Sequence, residues 1–299
     1  MSVEWELYRS LLGVLREGSL SGAARALGVA QPTVGRHIAA LETALGLKLF
    51  TRSQSGLLAT EAALALRPHA EAMESTAAAL ERAAASYGDG VRGVVRISVS
   101  EVIGVEVMPP VLAGLRARHP ALRVELVLTN RVQDLLQREA DIAVRMTAPR
   151  QGQLVARRIG AVEVGLHASP GYLAAHGTPA GVDDLAHHAL IGFDRPAPFV
   201  IAASKAVPAW SRQQFALRTD SDVAQLGLIR AGAGIGFCQT ALAARAPALV
   251  RVLPDVFSLA FDTWVTMHED LRDSPRCRAT FDALAAGLAA YLEGGGAPV

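Results

Sequence analysis

Hydrophobic residues recur at helical spacing through the first 45 positions, in three groups separated by glycines. Helices are therefore predicted over 3–17, over 21–27 with Ser21 as the N-cap, and over 32–45 with Pro32 in the first turn. A glycine follows each helix, as expected where helices end, at positions 18, 28 and 46. The apolar positions that define the first and third helices are Leu7, Leu11, Leu12, Leu15, Val34, Ile38, Leu41 and Leu45.

A hairpin and a long helix are predicted to follow. Polar turn residues separate two short apolar pieces within 49–60, which is typical of a small β-hairpin. Thr60 then caps a helix over 61–87, whose apolar residues alternate spacings of four and three for three heptads. A lone helix cannot bury such a seam, so the helix either pairs with a second copy or packs on the chain's own C-terminal domain. The seam residues are Leu66, Ala70, Met73, Ala77, Leu80, Ala84 and Tyr87.

Strands and helices alternate after the glycine-containing boundary at 88–90. Predicted strands at 94–99, 123–128 and 141–145 enclose predicted helices at 107–118 and 131–138. This order indicates a parallel sheet with helices on its faces. Three more strands and three more helices are predicted, the strands at 162–168, 189–193 and 234–238, the helices at 171–176, 222–231 and 275–292.

Composition narrows the classes of function. The 299 residues suffice for two domains, and a net charge of +1 means that any nucleic-acid binding depends on a local patch. The N-terminus has no secretory-signal pattern and no stretch reaches ~18 apolar residues, so we expect a cytoplasmic protein without a membrane span. Cys238 and Cys277 form no CxxC and lie in apolar surroundings, which favours buried free thiols over a redox pair.

The second and third helices have the spacing of a helix-turn-helix. Such a pair needs a small residue in the first helix, a glycine in the turn and a branched apolar residue in the second helix. Ala24, Gly28 and Val34 meet these needs. The second helix of the motif enters the major groove of DNA, and the outward positions of this one carry side chains that read base edges. They are Gln31, Thr33, Arg36 and His37.

The run GSLSGAARALGVAQPTVGRHIAALE at 18–42, with Leu45-Gly46 and LFTR at 49–52, resembles the LysR-type transcriptional regulators. Later landmarks agree with that family: DIAV at 141–144, ASPGYL at 168–173, GTP at 177–179, GAGI at 232–235 and LVRVLP at 249–254. The resemblance implies a multidomain fold, with a winged helix-turn-helix and an α/β two-lobed effector domain shaped like a periplasmic binding protein. The implied domains are a DNA-binding domain at 1–60, a dimerising linker helix at 61–88 and an effector domain at 91–299. Lobe I then covers about 91–161 and 267–292, and lobe II about 162–266.

The resemblance also implies the residues that contact DNA. Arg52 matches the family's wing arginine and is expected to meet a phosphate, with a structural salt bridge as the alternative. Gly35 stands where the family usually has serine, which removes a hydroxyl contact and costs ~1 kcal/mol of helix propensity. The expected DNA-contacting set is Gln31, Pro32, Thr33, Arg36, His37 and Arg52.

An effector cleft is expected at strand ends and helix N-termini between the lobes. Ser100 and Thr129 match positions that bind effectors in the family, and Phe193 ends a strand that faces the cleft in relatives. Glu101 would repel an anionic effector unless it points away or pairs with Arg145, so carboxylate, amine-bearing and hydroxylated ligands all stay open. Structural capping is the alternative for each residue of this set, which is Ser100, Glu101, Thr129, Arg145, Phe193, Asp220 and Ser221.

These features predict a regulator rather than an enzyme. The run at 232–236 resembles part of a dinucleotide-binding loop, but it follows a helix and leads into a strand, which is the wrong order. His187 and His188 are adjacent, which is poor metal-ligand spacing, so no metal or cofactor is expected beyond an unidentified small-molecule co-inducer. An exported solute-binding protein would need a signal sequence, which the N-terminus lacks, and would not need a helix-turn-helix. This alternative is therefore disfavoured. The expected partners are double-stranded DNA, further copies of the chain as a dimer and a tetramer, RNA polymerase and the effector, with no membrane.

Overall fold

The computed structural model describes residues 3–53, 56–84, 90–130, 139–149, 153–195, 210–245 and 247–294. It divides the chain into two compact units. One comprises residues 1–84 with 136–139, and the other comprises 85–135 with 140–299. The predicted helix at 131–138 and the end of the predicted helix at 61–87 lie outside the described residues. Within the described residues, no helix is long and apolar enough to cross a bilayer.

The N-terminal unit begins with three helices: α1 (Trp5–Glu17), α2 (Leu20–Leu27) and α3 (Gln31–Leu45). Each ends at a glycine in the left-handed conformation, with Gly28 at φ 68° in the turn between α2 and α3. The N-cap of α2 is Ser19, whose side chain accepts from the Gly22 N–H, so the prediction of Ser21 as N-cap was wrong. The shared core contains the predicted contact residues Ala24 and Val34, together with Leu11, Val14, Ala23, Ile38, Leu41, Leu49 and Ala63.

A two-stranded wing follows α3. Strands β1 (Phe50–Ser53) and β2 (Gly56–Ala59) pair antiparallel, with Phe50 opposite Ala59 and Arg52 opposite Leu57. Thr60 closes the base of the wing, since its hydroxyl donates to the Lys48 carbonyl at 2.8 Å and accepts from the Ala63 N–H at 3.3 Å. The predicted hairpin and the predicted cap of the long helix are both confirmed.

The long helix α4 (Glu61–Ala84) continues through Pro68. The first part of its predicted seam is used within the N-terminal unit, because Ala70 is buried and Leu66 packs on that unit's core. Arg16 of α1 also forms a two-pronged ion pair with Glu74 of α4. Further along the seam, Met73 is 41% and Leu80 68% exposed. The seam open to a second copy therefore begins about one heptad later than the spacing predicts.

The C-terminal unit is built on a seven-stranded sheet with the order β10-β6-β11-β5-β3-β4, and β9 pairs with β6. A separate parallel pair joins β7 to β8. The strands are β3 (Gly93–Val99), β4 (Leu122–Leu128), β5 (Ile142–Arg145), β6 (Leu154–Ala168), β7 (Leu190–Gly192), β8 (Phe215–Arg218), β9 (Gly236–Gln239), β10 (Val250–Val252) and β11 (Leu259–His268). The helices are α5 (Glu101–Glu106), α6 (Met108–Arg118), α7 (Pro170–His176), α8 (Asp222–Arg230), α9 (Thr240–Ala243) and α10 (Pro275–Leu292), with 3-10 turns at Asp183–His187 and Glu269–Leu271.

The sheet is mixed, which corrects the predicted parallel sheet. Strands β4 and β5 run parallel to β3, as the strand–helix alternation indicates, but β11 pairs antiparallel with both β5 and β6. Because β6 has 15 residues and β11 has ten, these two strands continue through both predicted lobes. The two-lobed α/β architecture is confirmed, and the exact lobe boundaries stay a prediction.

Candidate nucleic-acid interface and ligand cleft

Helix α3 presents opposite faces to the core and to solvent. Val34, Ile38 and Leu41 are buried, whereas Gln31, Pro32 and Arg36 are exposed and Thr33 is half-buried. At about 100° per residue, Arg36 lies about 160° from both Val34 and Ile38, so its guanidinium points away from the core. This is the arrangement that lets a helix pack on its own domain and offer polar side chains to a groove.

His37 lies on the flank of α3 instead of its outward face. The residue is half-buried, and its Nδ1 lies 2.8 Å from the hydroxyl of Ser10 in α1. The sequence predicts His37 among the outward, DNA-reading residues of α3. In the structure its side chain also contacts the neighbouring helix α1. The backbone of Arg52 lies in the wing, opposite Leu57, which places this residue on β1 as predicted.

Glu42 fixes the wing against the C-terminal half of α3. Its carboxylate accepts from the Leu49 N–H at 2.8 Å and from the Lys48 ammonium at 2.8 Å. Burial raises the pKa of Glu42, but the bonds from Lys48, Leu49 and Phe50 outweigh it and hold the pKa below its ordinary value. The carboxylate thus stays ionised and keeps the wing in one position beside the exposed face of α3.

Helices α5 and α8, whose N-terminal ends carry two of the predicted effector residues, run side by side. At their N-terminal ends, the Ser221 hydroxyl donates to the Glu101 carboxylate at 3.0 Å. At their C-terminal ends, Arg230 forms a two-pronged ion pair with Glu106 at 2.7 and 2.9 Å. The Arg230 bonds hold the pKa of Glu106 below its ordinary value, so this end is a charged clamp. Among the described residues, each carboxylate contact at the N-terminal end joins the carboxylate to a neutral group, so this end is the weaker of the two.

Two further residues, Asn130 and Asp222, complete the N-terminal end. The Asn130 side chain accepts from the Glu101 N–H at 3.2 Å and donates to the Asp222 carboxylate at 2.9 Å. Burial, and then the negative charge of Glu101, raise the pKa of Asp222 to about 6, although the Asn130 bond opposes the rise. Two carboxyl groups thus share this rim, and one of them titrates close to neutral pH.

The other predicted effector residues have structural partners of their own. Arg145 donates to the Ser98 hydroxyl at 2.6 Å, and Glu101 accepts from the Ser221 hydroxyl rather than pairing with Arg145, which was one of the two alternatives open from the sequence. Asp220 accepts from the N–H groups of Asp194 and Arg195, which follow Phe193 in the chain.

Ser100 and Thr129 occupy neighbouring strand ends. Ser100 is the residue before α5, without a side-chain capping bond, and the Thr129 N–H donates to the Val99 carbonyl at 2.9 Å. Phe193 is 9% exposed next to β7. The structure therefore brings Ser100, Glu101 and Thr129 together at the ends of β3 and β4, and adds Ser221 across the α5–α8 contact.

The predicted site residues do not include Asn130, Asp222 or Ser10. Asn130 and Asp222 directly follow two predicted residues, and their polarity at a strand end and a helix start was the available signal. Ser10 is a polar residue beside Leu11 and Leu12 on the buried side of α1, and a serine at such a position needs a partner.

Other candidate chemistry is weak in the described parts of the chain. These contain no group of three His, Cys, Asp or Glu side chains that could hold a metal ion. Both cysteines are buried and neither forms a disulfide, and burial raises the pKa of the Cys238 thiol to about 12, which disfavours the reactive thiolate. A groove of about 460 Å³ lies between the start of α7 and the Pro247–Leu249 segment, and Arg230 at the C-terminal end of α8 is one of its lining residues.

The chain matches two family models. Residues 5–64 match the model described as "Bacterial regulatory helix-turn-helix protein, lysR family", and residues 88–289 match the "LysR substrate binding domain". These spans cover the helix-turn-helix with its wing and nearly all of the C-terminal unit.

Individual relatives agree with the family models. An HTH-type transcriptional regulator of Xanthomonas campestris is 33% identical over 175 residues, 58% of this chain, and the match spans about half (51%) of that relative's length. The solved structure of CrgA, a LysR-type transcriptional regulator from Neisseria meningitidis, is 25% identical with a TM-score of 0.58 over 95% of this chain and 98% of that one. CbnR in complex with its target DNA shares the fold, at 21% identity with a TM-score of 0.66 over 95% and 99% of the two chains. The chain belongs to the LysR family of transcriptional regulators.

Proposed function

We propose that this chain is a sequence-specific DNA-binding transcriptional regulator whose activity a small-molecule effector controls through the C-terminal unit. One observation carries the proposal: α3 buries Val34, Ile38 and Leu41 and exposes Gln31, Pro32 and Arg36 beside a wing that Glu42 holds in place. Such a helix, anchored on one face and polar on the other, is suited to the major groove. The proposed DNA contacts are Gln31, Pro32, Thr33, Arg36, His37 and Arg52.

A second copy of the chain is the proposed partner of α4. Met73 and Leu80 leave apolar surface exposed along one stripe, and pairing two such helices would bury it. Two reading helices would then face the same side of a DNA duplex and read a dyad-symmetric site. A dimer of dimers, contact with RNA polymerase and a cytoplasmic location complete the proposal, by analogy with the family.

The proposed effector site is the weak end of the α5–α8 contact, beside Ser100, Thr129 and Phe193. The Glu101 and Asp222 carboxyl groups favour a ligand that brings hydrogen-bond donors, such as hydroxyl or ammonium groups, over a bare carboxylate. Ser221 and Glu101 supply the bond between lobes that a ligand would replace or reinforce. We assign Arg145 and Asp220 a supporting role, because Ser98 and the Asp194–Arg195 backbone already engage them.

The test of DNA recognition compares Arg36→Ala with Arg67→Ala, another exposed arginine, which pairs with Glu71 on α4. Duplexes retrieved from genomic fragments by the 299-residue chain serve as the probe. Arg36→Ala is expected to lower affinity about 5- to 150-fold, since a bidentate base contact is worth about 1–3 kcal/mol. Arg67→Ala is expected to leave affinity within twofold. Equal affinities for the two variants would refute the assignment of α3 as the reading helix.

A further inference from the structure

The contact between Ser10 and His37 joins two helices. Ser10 belongs to α1 and is 2% exposed, and His37 belongs to α3, one residue after Arg36. The hydroxyl oxygen and the imidazole Nδ1 are 2.8 Å apart, a normal hydrogen-bond distance. Residues 27 positions apart in the chain thus meet at the edge of the reading helix.

The hydroxyl of Ser10 depends on this contact. A helical serine can bond to the carbonyl four residues earlier, as the threonines Thr43 and Thr76 do here. Ser10 makes no such bond, and His37 is its hydrogen-bond partner within the described part of the chain. A buried hydroxyl without a hydrogen-bond partner costs about 1–3 kcal/mol, so loss of the contact with His37 would destabilise the folded protein through Ser10.

The bond restricts which nitrogen of the imidazole ring carries the proton. When the Ser10 hydroxyl donates to Nδ1, a neutral ring carries its proton at Nε2, and Nε2–H becomes the remaining donor. The ring is half-buried, and position 37 lies about 60° from Val34 around the helix. With α3 in the major groove of DNA, a side chain on that flank would face the groove wall, which carries the phosphates. Arg36, at the outward position, would face the base edges.

We propose that Ser10 is a positioning residue for DNA recognition, which orients His37 and fixes its tautomer so that Nε2–H donates to a phosphate oxygen of bound DNA. This inference rests on the proposed DNA-binding function and adds a residue that itself touches no DNA. Affinity then depends on Ser10 through His37, and the dependence disappears when His37 is replaced.

A double-mutant cycle tests this coupling on a retrieved duplex. Ser10→Ala is expected to lower affinity about 3- to 10-fold in the parent chain and less than twofold in the His37→Ala background. Thr43→Ala, an exposed α3 hydroxyl bonded to its own helix, is the control and is expected to change nothing. Equal losses from Ser10→Ala in both backgrounds, at unchanged thermal stability, would overturn the inference and leave the DNA-binding function standing.

Two further measurements separate positioning from simple packing. Long-range ¹H–¹⁵N NMR of the free protein is expected to show His37 as the Nε2–H tautomer and a mixture of tautomers in Ser10→Ala, and an Nδ1–H ring in the parent chain contradicts the proposal. His37→Ala should weaken binding by the same factor on retrieved and random duplexes, because phosphates carry no sequence. A loss confined to the retrieved duplex would indicate a base contact and refute the phosphate assignment.

Discussion

Gly35 lies inside the proposed reading helix, where glycine costs up to about 1 kcal/mol relative to alanine. A Cβ atom at this position would meet only Leu20 Cδ1, at 3.8 Å, which is an ordinary contact. Packing in the free protein therefore does not require the glycine, and its effect falls on helix stability and on the missing serine hydroxyl.

Substitution of Gly35 measures that effect. Gly35→Ala is expected to raise the free energy of unfolding by about 0.5–1 kcal/mol, because it removes backbone freedom from the unfolded chain. DNA affinity should stay within twofold for Gly35→Ala and should rise for Gly35→Ser, which restores a hydroxyl. Urea denaturation and equilibrium DNA binding provide the two readouts. A loss of affinity of tenfold or more in Gly35→Ala would show instead that DNA approaches the backbone at this position.

Asp222 gives the C-terminal unit a pH dependence. Its pKa is raised from 3.8 to about 6, so the folded state holds the proton more tightly than the unfolded state. The stabilisation from protonated Asp222 is complete below pH 3.8 and is lost as the pH rises through 6. At about 1.4 kcal/mol per pKa unit, the ionised form costs up to about 3 kcal/mol near neutral pH.

Asp222→Asn should therefore stabilise the protein at both pH values, about twice as much at pH 7.5 as at pH 5, where the stabilisation from protonated Asp222 is only partly lost. Asparagine keeps the bond to Asn130 and carries no charge beside Glu101. Thermal unfolding at the two pH values measures the difference, with Asp183→Asn, an exposed acid in a 3-10 turn, as the control. An equal shift in melting temperature at both pH values would contradict the assigned titration.

Helix α4 is the element that sequence and structure describe differently. The heptad spacing predicts one continuous seam from Leu66 to Tyr87, but Ala70 is buried in the N-terminal unit and Arg16 binds Glu74. Spacing records which residues are apolar and does not record which neighbour covers them. The exposed stripe around Met73 and Leu80 is the part left for a partner.

Leu80→Glu tests the role of that stripe. Leu80 is 68% exposed, so its replacement should leave the folding of the single chain nearly unchanged. The introduced carboxylate would be buried between α4 and the same helix of a second copy. Self-association is therefore expected to weaken at least tenfold. Leu64→Glu, an exposed leucine of α4 outside the seam, is the matched control. Sedimentation equilibrium measures both variants, and equal behaviour of the two would show that the stripe is not the contact.

The elements themselves were predictable where local signals exist. Glycine caps and apolar spacing located α1 and α3 to within a few residues, and the predicted helix at 222–231 agrees with α8. Helix α5 escaped prediction because it is short and contains Gly104, where a Cβ would clash with the Leu128 side chain unless that side chain moved. The antiparallel pairing of β11 with β5 and β6 joins segments more than 90 residues apart, and no local pattern specifies such pairing.

At the scale of the whole molecule, each unit carries one part of the proposed function. The N-terminal unit presents α3 and the wing, and the C-terminal unit joins its lobes by the Glu106–Arg230 clamp at one end and by the weaker Glu101–Ser221 contact at the other. A ligand alters the activity only if it binds one lobe arrangement better than another. The candidate DNA contacts followed from the sequence motif, whereas Asn130, Asp222 and Ser10 required contacts between distant segments.

DNA footprinting of the 299-residue chain on retrieved genomic duplexes tests most directly the central claim, that the chain reads a dyad-symmetric DNA site through α3. Two protected half-sites related by a dyad are predicted, about one helical turn apart or a multiple of it, with protection lost in Arg36→Ala and affinity falling steeply as salt rises. Uniform protection that ignores sequence, or a protected dyad site that Arg36→Ala leaves unchanged, would contradict the account.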